Sequence, residues 1–500
     1  MTRRPHFFAL SLCVGLAAAD VARIGLLIGL ALALVAAGSA ALHVTRRRPL
    51  FIAVAVAFAG WAWGSARLAT LDRSVLAERV GTAERARVVV TGPPRAGRFA
   101  VRAPGTVVSW GGAAVDEAVL LKLPHGRSPP EGAVVEVIGT LTAPAEFERT
   151  LLRRHGVHVV LRASQLRIVG RRGGLGGVAD RLRAHLGRSV AVGLEGERKA
   201  LLEGVVLGDD SGLADELRDK FRASGLYHLL AVSGQNVALV AAGALLLAWL
   251  AGVPRLFGEI GALGAIAGYV LAVGAQPSVI RAGIAGALGS LAWLVARARD
   301  RWYFLLLGAI ALLGWNPYTL LDPGFELSFS AVVSIFVLAP RVRRWLEGYP
   351  MPERLREVVA ISAACGTATA PIAWIHFHAL ALLSIPANAL AAPAVVPLLG
   401  LALAAAAIAP LSSGAAGVLA WLNGWCAAYL AGCARLIGGI PGAQIQSTRA
   451  LLVLVAGVLL LAAYAWPRVA IRLSRDLQPD EERRTGQAGA HLLRRRRVGA

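Results

Sequence analysis

The residues of this chain that could do chemistry are polar groups set in apolar surroundings. The stretch 209–240 reads DDSGLADELRDKFRASGLYHLLAVSGQNVALV. It carries Asp209, Asp210, Tyr227, His228, Ser233, Gln235 and Asn236 at the start of a long apolar series. Arg281 follows Pro277 inside another apolar run. Asp322, Glu326 and Ser328 punctuate the run around PGFELSFS, and Asn388 stands between Pro386 and Pro393. Each has a structural reading taken singly. Arg281 can snorkel to head groups, Asp322 can cap the next helix, and Asn388 can satisfy backbone freed by proline. Taken together they favour a hydrophilic path, because polar groups at membrane depth are costly unless they face a cavity or a partner.

Catalytic readings find less support. GPPRAGRF at Gly92 to Phe99 has glycine spacing but lacks the Lys-Ser/Thr pair that holds phosphate and magnesium, so ATP hydrolysis is not expected. There is no His-Glu-x-x-His, and His376-Phe-His378 is followed by ALALL, without a third ligand for a metal. These two histidines read as interfacial or helix-capping residues. Ser233 lacks a Gly-x-Ser-x-Gly elbow. His228 lies five residues before it, off the face that an i, i+4 pair would share. The four cysteines, Cys13, Cys365, Cys426 and Cys433, all fall in apolar segments and suggest neither a disulfide framework nor a metal site. No cofactor is expected.

Composition says what must position these groups. The chain has 500 residues, 56% hydrophobic and 16% charged, against roughly a quarter charged in soluble domains. Apolar runs of about 18 residues recur, which predicts a polytopic α-helical membrane protein. The formal charge of +22 comes almost entirely from Arg. It is compatible with membrane topology alone, or with an anionic partner such as nucleic acid or lipid head groups.

Residues 1–70 predict three spans: Phe7–Ala19, Ile24–Val44 and Leu50–Ala69, with Asp20 and Arg23 at the tip of a first hairpin. Residues 71–172 change character. RVVVT (Arg87–Thr91), AVLLKL (Ala118–Leu123), AVVEVIGTLT (Ala133–Thr142) and VHVVLRA (Val157–Ala163) read as short strands. They are split by turn signals that include Ala103-Pro104-Gly105. A helical insert, Ala145–His155, precedes the last strand, and the whole is compatible with a small OB-like β-barrel. Leu71–Ala200 holds 21 Arg and Lys against 12 Asp and Glu, but only Phe99, Trp110 and Phe147 as aromatics. That predicts an electrostatic guide for a polyanion rather than a tight single-strand binder.

Residues 173–224 predict an amphipathic helical linker on the outer face. Residues 225–466 predict nine further segments: Leu226–Leu250, Gly258–Val273, Ser278–Ala296, Trp302–Leu320, Phe325–Pro340, Val358–Ile375, Leu380–Ala409, Gly414–Leu436 and Leu451–Trp466. With prolines at 386, 393 and 397, Leu380–Ala409 reads as a broken or re-entrant helix. The tail, residues 467–500, is basic (Arg494–Arg497) and reads as disordered. Short-loop arginines put Arg46–Arg48, Arg255, Arg297–Arg301, Arg341–Arg356 and the tail in the cytoplasm. Loops near Gln276, Asp322, His376 and Gly442–Gln446 fall outside. About 12 spans then alternate with both termini cytoplasmic and the β domain extracytoplasmic.

Several motifs resemble the ComEC-type competence proteins, the bacterial inner-membrane DNA channel family. They are GLYHLLAVSGQNVALV (Gly225–Val240) preceded by LEGVVLGDDSGL (Leu202–Leu213), then PSVIRAGIAG (Pro277–Gly286), NPYTLLDPGFELSFSAVVSIF (Asn316–Phe336) and LLSIPANALAAPAVVPL (Leu382–Leu398). EFERTLLRRHGVHVVLRAS (Glu146–Ser164) resembles the end of that family's OB-like domain. The chain departs from the pattern at Asn236, where the family often has His, and at Glu326, where Gln is common. The resemblance implies passage of single-stranded DNA across the cytoplasmic membrane, with His228 to Asn236 as an entrance or gate. It also implies an outer DNA receptor, a cytosolic motor or helicase, and contact with membrane lipids; a homo-oligomer is possible. Many members carry a metallo-β-lactamase-like domain. No His-x-His-x-Asp-His run occurs up to Ala500, so nuclease activity is not expected of these residues. A small-molecule or lipid-linked transporter and an intramembrane hydrolase using Ser233 or His228 stand as alternatives.

Overall fold

Three apolar helices open the chain: α1 (Arg4–Val21), α2 (Leu26–Leu42) and α3 (Arg48–Leu71). A Cβ at Gly15 of α1 would lie 1.9 Å from the Ala57 carbonyl oxygen of α3, so these two helices pack backbone against backbone. Small residues permit such approach between membrane helices. The computed structural model describes residues 4–42, 47–97, 99–274, 277–294 and 300–457. The expected cytoplasmic residues Arg46 and Arg297, the turn at Gln276, the end of the last apolar segment and the tail lie outside the described residues.

Next come β1 (Ala83–Val90), β2 (Arg95–Ala96), β3 (Val101–Trp110), β4 (Ala113–Leu123), β5 (Ala133–Thr142), α4 (Glu146–Arg154) and β6 (Val160–Arg171). The strands pair in the order β1-β5-β6-β4-β3-β2, and β1 also pairs with β3. β4 and β6 are parallel; the other pairs are antiparallel. Alternate residues of β5 are buried, as period-two patterning requires. They meet Val88, Val107, Leu121, Leu161 and the fully packed Trp110 in one core. Pro104, expected in a turn, lies inside β3 instead. Its carbonyl accepts from Thr91 N just past the last β1–β3 pair, Val90–Gly105, so its nitrogen meets the end of a ladder, where proline is tolerated.

The remaining helices are α5 (Gly174–Val190), α6 (Gly196–Leu207), α7 (Asp215–Ser224), α8 (Gly234–Leu250), α9 (Arg255–Val273), α10 (Pro277–Leu294), α11 (Arg301–Trp315), α12 (Pro323–Val337), α13 (Ala339–Trp345), α14 (Glu353–Phe377), α15 (Ser384–Ile408) and α16 (Ser413–Gly438). Among the described residues, five helices, α3, α9, α14, α15 and α16, are long and apolar enough to cross a membrane. α12 and α13 form a sixth candidate, bent by 44°. The protein is thus mostly helical, with the apolar helices of a membrane protein. It divides into two compact units, Met1–Phe377 with Ala381–Gln444, and His378–Leu380 with Ile445–Ala500. The described part of the second contains the apolar helix Thr448–Gly457.

Three expectations need correction. Within 173–224, where α5 and α7 keep exposed polar faces, α6 does not lie on the surface. Leu201, Leu202, Val205 and Val206 of α6 are buried in one core with Ala391 and Leu398 of α15 and Leu430 of α16, because α6 is apolar around its circumference after Lys199. The segment expected to begin at Leu226 starts as a 3-10 turn, Tyr227–Leu229, and α8 begins only at Gly234. Finally, the break expected within 380–409 is absent: Ser384–Ile408 is one unbroken helix. Pro386 sits in its first turn, where no intrahelical donor is lost. Asn423 Nδ2 (3.0 Å to Leu398 O) and Tyr429 Oη (2.9 Å to Leu390 O) bind it to α16 past Pro393 and Pro397.

Candidate functional site

The junction between α6 and α8 is held by charge. Asp210 accepts from Tyr227 Oη at 2.9 Å and pairs with Arg218 Nε at 3.3 Å; Arg218 also donates to the carbonyls of Asp210 and Leu213. Asp209 accepts from Ser211 Oγ at 2.6 Å, closing the turn before α7. Asp209, Asp210 and Tyr227 therefore fix how the chain turns into the bundle.

The polar cluster that follows separates into different environments. Asn236 is buried, and its Nδ2 donates to Val205 O (2.9 Å) and Tyr269 Oη (3.2 Å), while Tyr269 donates to Val206 O (2.6 Å). Val205 and Val206 belong to the last turn of α6, whose carbonyls have no partner within the helix. Asn236 and Tyr269 together cap that helix and tie it to α8 and α9. Ser233 Oγ donates to Asn236 Oδ1 at 3.1 Å. The exposed His228 bonds through Nδ1 to Gly225 O at 2.9 Å, so no Ser–His pair forms. Gln235 is exposed.

Arg281 lies in the first turns of α10 and has no carboxylate partner among the described residues. Its Nε is buried without a hydrogen bond. Its guanidinium sits 5.7 Å from the Phe329 ring centroid on α12. Its stem passes Gly308 of α11, where a Cβ would lie 3.4 Å from Arg281 Cγ, and a Cβ at Gly234 would lie 4.0 Å from its Nη2. The cation thus stands beside the N-terminus of α8, where the helix dipole is also positive.

On α12, Asp322 caps the helix: Oδ1 accepts from Gly324 N (2.8 Å) and Phe325 N (3.3 Å). Glu326 Oε2 pairs with His376 Nε2 of α14 at 2.7 Å. The sequence reads His376 as an interfacial or helix-capping residue of a loop; it lies in the last turn of α14, and no sequence signal marks this partner. Ser328 and Asn388 are half-buried, with no side-chain hydrogen bond among the described residues. Arg281 and Glu326 meet the same helix, one through Phe329 and the other directly; Asn388 lies apart on α15.

A second polar centre escaped the sequence reading. Asp72, just after α3, pairs with Arg153 Nε and Nη2 of α4, both at 2.9 Å, and with Arg23 Nη1 at 2.6 Å. Tyr318 Oη donates to the same carboxylate at 3.0 Å. Arg154 donates to Leu321 O and Asn316 Nδ2 donates to Arg154 O, so the β region is clamped to the ends of α3 and α11. Burial alone would raise the Asp72 carboxyl, but the bonds from Arg153, Arg23 and Tyr318 outweigh it and hold the pKa at about 2. On another side, Glu131 pairs with Arg183 Nε of α5 at 3.2 Å, and burial pushes its carboxyl up. The spacing of EFERTLLRR carries no hint that Arg153 reaches Asp72, 81 residues away.

Comparison with known proteins bears on this arrangement. Residues 205–470 match the family described as "Competence protein". A stretch of 197 residues is 30% identical to ComE operon protein 3 of Bacillus subtilis (strain 168), covering 39% of this chain and 24% of that protein. Another, of 214 residues, is 28% identical to the uncharacterized protein YcaI of Escherichia coli (strain K12), covering 39% of this chain and 27% of that protein. The chain thus matches about a quarter of the length of these relatives. No solved structure matches it. Matched from residue 205 to residue 470 of its 500, the chain belongs to the competence protein family.

Proposed function

We propose that this chain is the membrane channel through which single-stranded DNA enters the cytoplasm during natural transformation. The observation that carries this reading is Arg281. A guanidinium among apolar helices without an acid is costly unless an anion visits it. Here it stands at the N-terminus of α8 and over Phe329, a setting that suits a passing phosphate. Membership in the competence family and the name of the Bacillus relative point the same way.

The rest of the proposal follows from the same frame. The chain sits in the bacterial cytoplasmic membrane with both termini inside. The strand circuit β1-β5-β6-β4-β3 with β1–β3 pairing supports an OB-like barrel, placed outside as a basic guide for the incoming strand. His6–Asp300 at one end of the bundle and the Asp72–Tyr318 cluster at the other agree with the alternation expected of the first spans. An outer receptor delivers DNA, and a cytosolic motor supplies the energy. An intramembrane hydrolase is disfavoured because Ser233 and His228 bond elsewhere.

The test is uptake of labelled DNA in a deletion strain. Arg281→Ala should lower uptake at least ten-fold at unchanged membrane abundance, and Arg281→Lys should retain part of it. Wild-type uptake by Arg281→Ala would remove the proposed path.

A further inference from the structure

Simple alternation has α15 running away from the face that carries the β region, since α14 runs toward it. The contacts of α5 say otherwise. Arg183 Nη1 donates to Ala272 O and Val273 O, the last carbonyls of α9, both at 3.1 Å. Two residues on, His185 Nε2 bonds Ala406 O, near the end of α15, at 3.2 Å. Two residues of helix rise only about 3 Å. The C-terminal ends of α9 and α15 therefore lie side by side, although α15 itself is about 37 Å long at 1.5 Å per residue. Leu403 of α15 agrees, packing with Val237 of α8 and Ile266 and Val273 of α9.

The end of α9 is on the side of the β region, because the same Arg183 pairs with Glu131 of the β4–β5 connection. The end of α14 is on that side too: His376 pairs with Glu326 at the start of α12, and Leu321 just before α12 accepts from Arg154 of α4. The start of α15 is deeper. A Cβ at Gly366 would lie 4.0 Å from Ser384 Oγ, and Gly366 is 11 residues, about 16 Å of helix, before the end of α14. After α14 emerges, then, the chain drops back into the bundle before α15 begins. There it meets Gly225, where a Cβ would lie 3.0 Å from Ala381 Cβ and 2.7 Å from Ser384 Cβ. Gly225 has φ of 77°, which glycine adopts without cost, so both the space and the backbone demand glycine.

We infer that α15 and α16 are a re-entrant pair: they enter and leave from the face that carries the β region, and their turn, residues 409–412, opens into the same aqueous compartment as that region. Two crossings are removed together, so the parity of the alternation is kept. The pair leaves Gly225 and the stretch 381–383, neither of them α-helical, meeting inside the bundle. Irregular backbone at that depth is tolerated only against protein or a water-filled cavity. The meeting point is therefore the natural place for water to penetrate.

The test uses the full chain in intact cells and in inverted vesicles, with a membrane-impermeant maleimide. Leu411, 87% exposed in the turn, is replaced in Leu411→Cys. Reference positions are Arg85→Cys in the exposed part of β1 and Glu347→Cys in the loop after α13. The unsubstituted chain, with its four cysteines, sets the background. Labelling of Leu411→Cys from the same side as Arg85→Cys, and opposite to Glu347→Cys, is expected. Labelling from the Glu347 side overturns the inference, and so does labelling from neither side. The readout needs no DNA, so it stands or falls apart from the channel reading.

Discussion

Replacing Asp72 by Asn keeps the shape of the side chain and removes its charge. Asp72 receives two bonds from Arg153, one from Arg23 and one from Tyr318, and it is 15% exposed. A hydrogen bond to a charged group contributes roughly 1.5–3 kcal/mol net, and bonds sharing one carboxylate do not add. The displaced pKa gives an independent scale. A fall from 3.8 to about 2 corresponds to about 2.4 kcal/mol at 1.36 kcal/mol per pKa unit. The guanidiniums of Arg23 and Arg153 are about half exposed, so screening reduces this to about 1–2 kcal/mol. At about 1.4 kcal/mol per tenfold, opening of the clamp should rise roughly five- to thirty-fold. The measurement is amide exchange of the full chain in lipid nanodiscs. Peptides covering 146–158 should exchange faster by that factor in D72N, while α15 should not change. Exchange within two-fold of wild type at 146–158, or acceleration spread equally over α15, would refute the reasoning. The pH dependence has a fixed sign. A depressed carboxyl stabilises fully above its unfolded pKa and loses the effect as pH falls through the folded one. The wild-type clamp should therefore hold above pH 4 and weaken toward pH 2, whereas D72N should be flat in that window. Spin-label distances between the β region and α3 would read both.

Two further outcomes follow from buried partners. Asn236→Ala strips the α6 carbonyls of a donor and should destabilise the chain by about 1–3 kcal/mol. Tyr269→Phe, which removes both the bond to Val206 O and the one from Asn236 Nδ2, should cost about 1–3 kcal/mol; both are read by thermal unfolding in detergent. Trp110→Ala empties the centre of the β region and should cost about 3–5 kcal/mol. Trypsin should then cleave between residues 83 and 171 while α14–α16 remain protected.

Periodicity made four of the six strands in the β region and most helices legible, but not β2 or β3. β5 and α4 fall within a residue of expectation because alternation and a charged amphipathic turn are local signals. Pro104 misled because proline marks a turn only when its missing donor would otherwise be needed. α6 misled differently. The mixed charge of 173–224 suggested amphipathic helices throughout, yet LLEGVVL (Leu201–Leu207) is apolar on every side except Glu203, and a helix apolar all round is a buried one. The direction of α15 was beyond local reading, since it depends on what Arg183 and His185 touch more than 85 residues away. The Asp72 clamp shares that property: each partner is an ordinary surface residue until the fold brings them together.

Accounting for partners sorts the polar residues that sequence could only group. Asn236 and Arg281 stand at the same end of the bundle and looked equivalent as unusual polar groups. Asn236 spends both amide hydrogens on Val205 O and Tyr269 Oη, and its oxygen accepts from Ser233. It closes a helix end that would otherwise carry bare carbonyls. A side chain so engaged can be essential without ever touching a ligand. Asp322 is occupied in the same manner by the first amides of α12. Arg281 is different in kind. Its Nε has no partner, its stem runs through the space left by Gly308, and an aromatic face and a helix N-terminus lie beside its charge. Nothing in the fold requires a guanidinium there, since a residue that merely packed between α11 and α12 would be apolar. In the channel proposed above, the need comes from the phosphates of the passing strand.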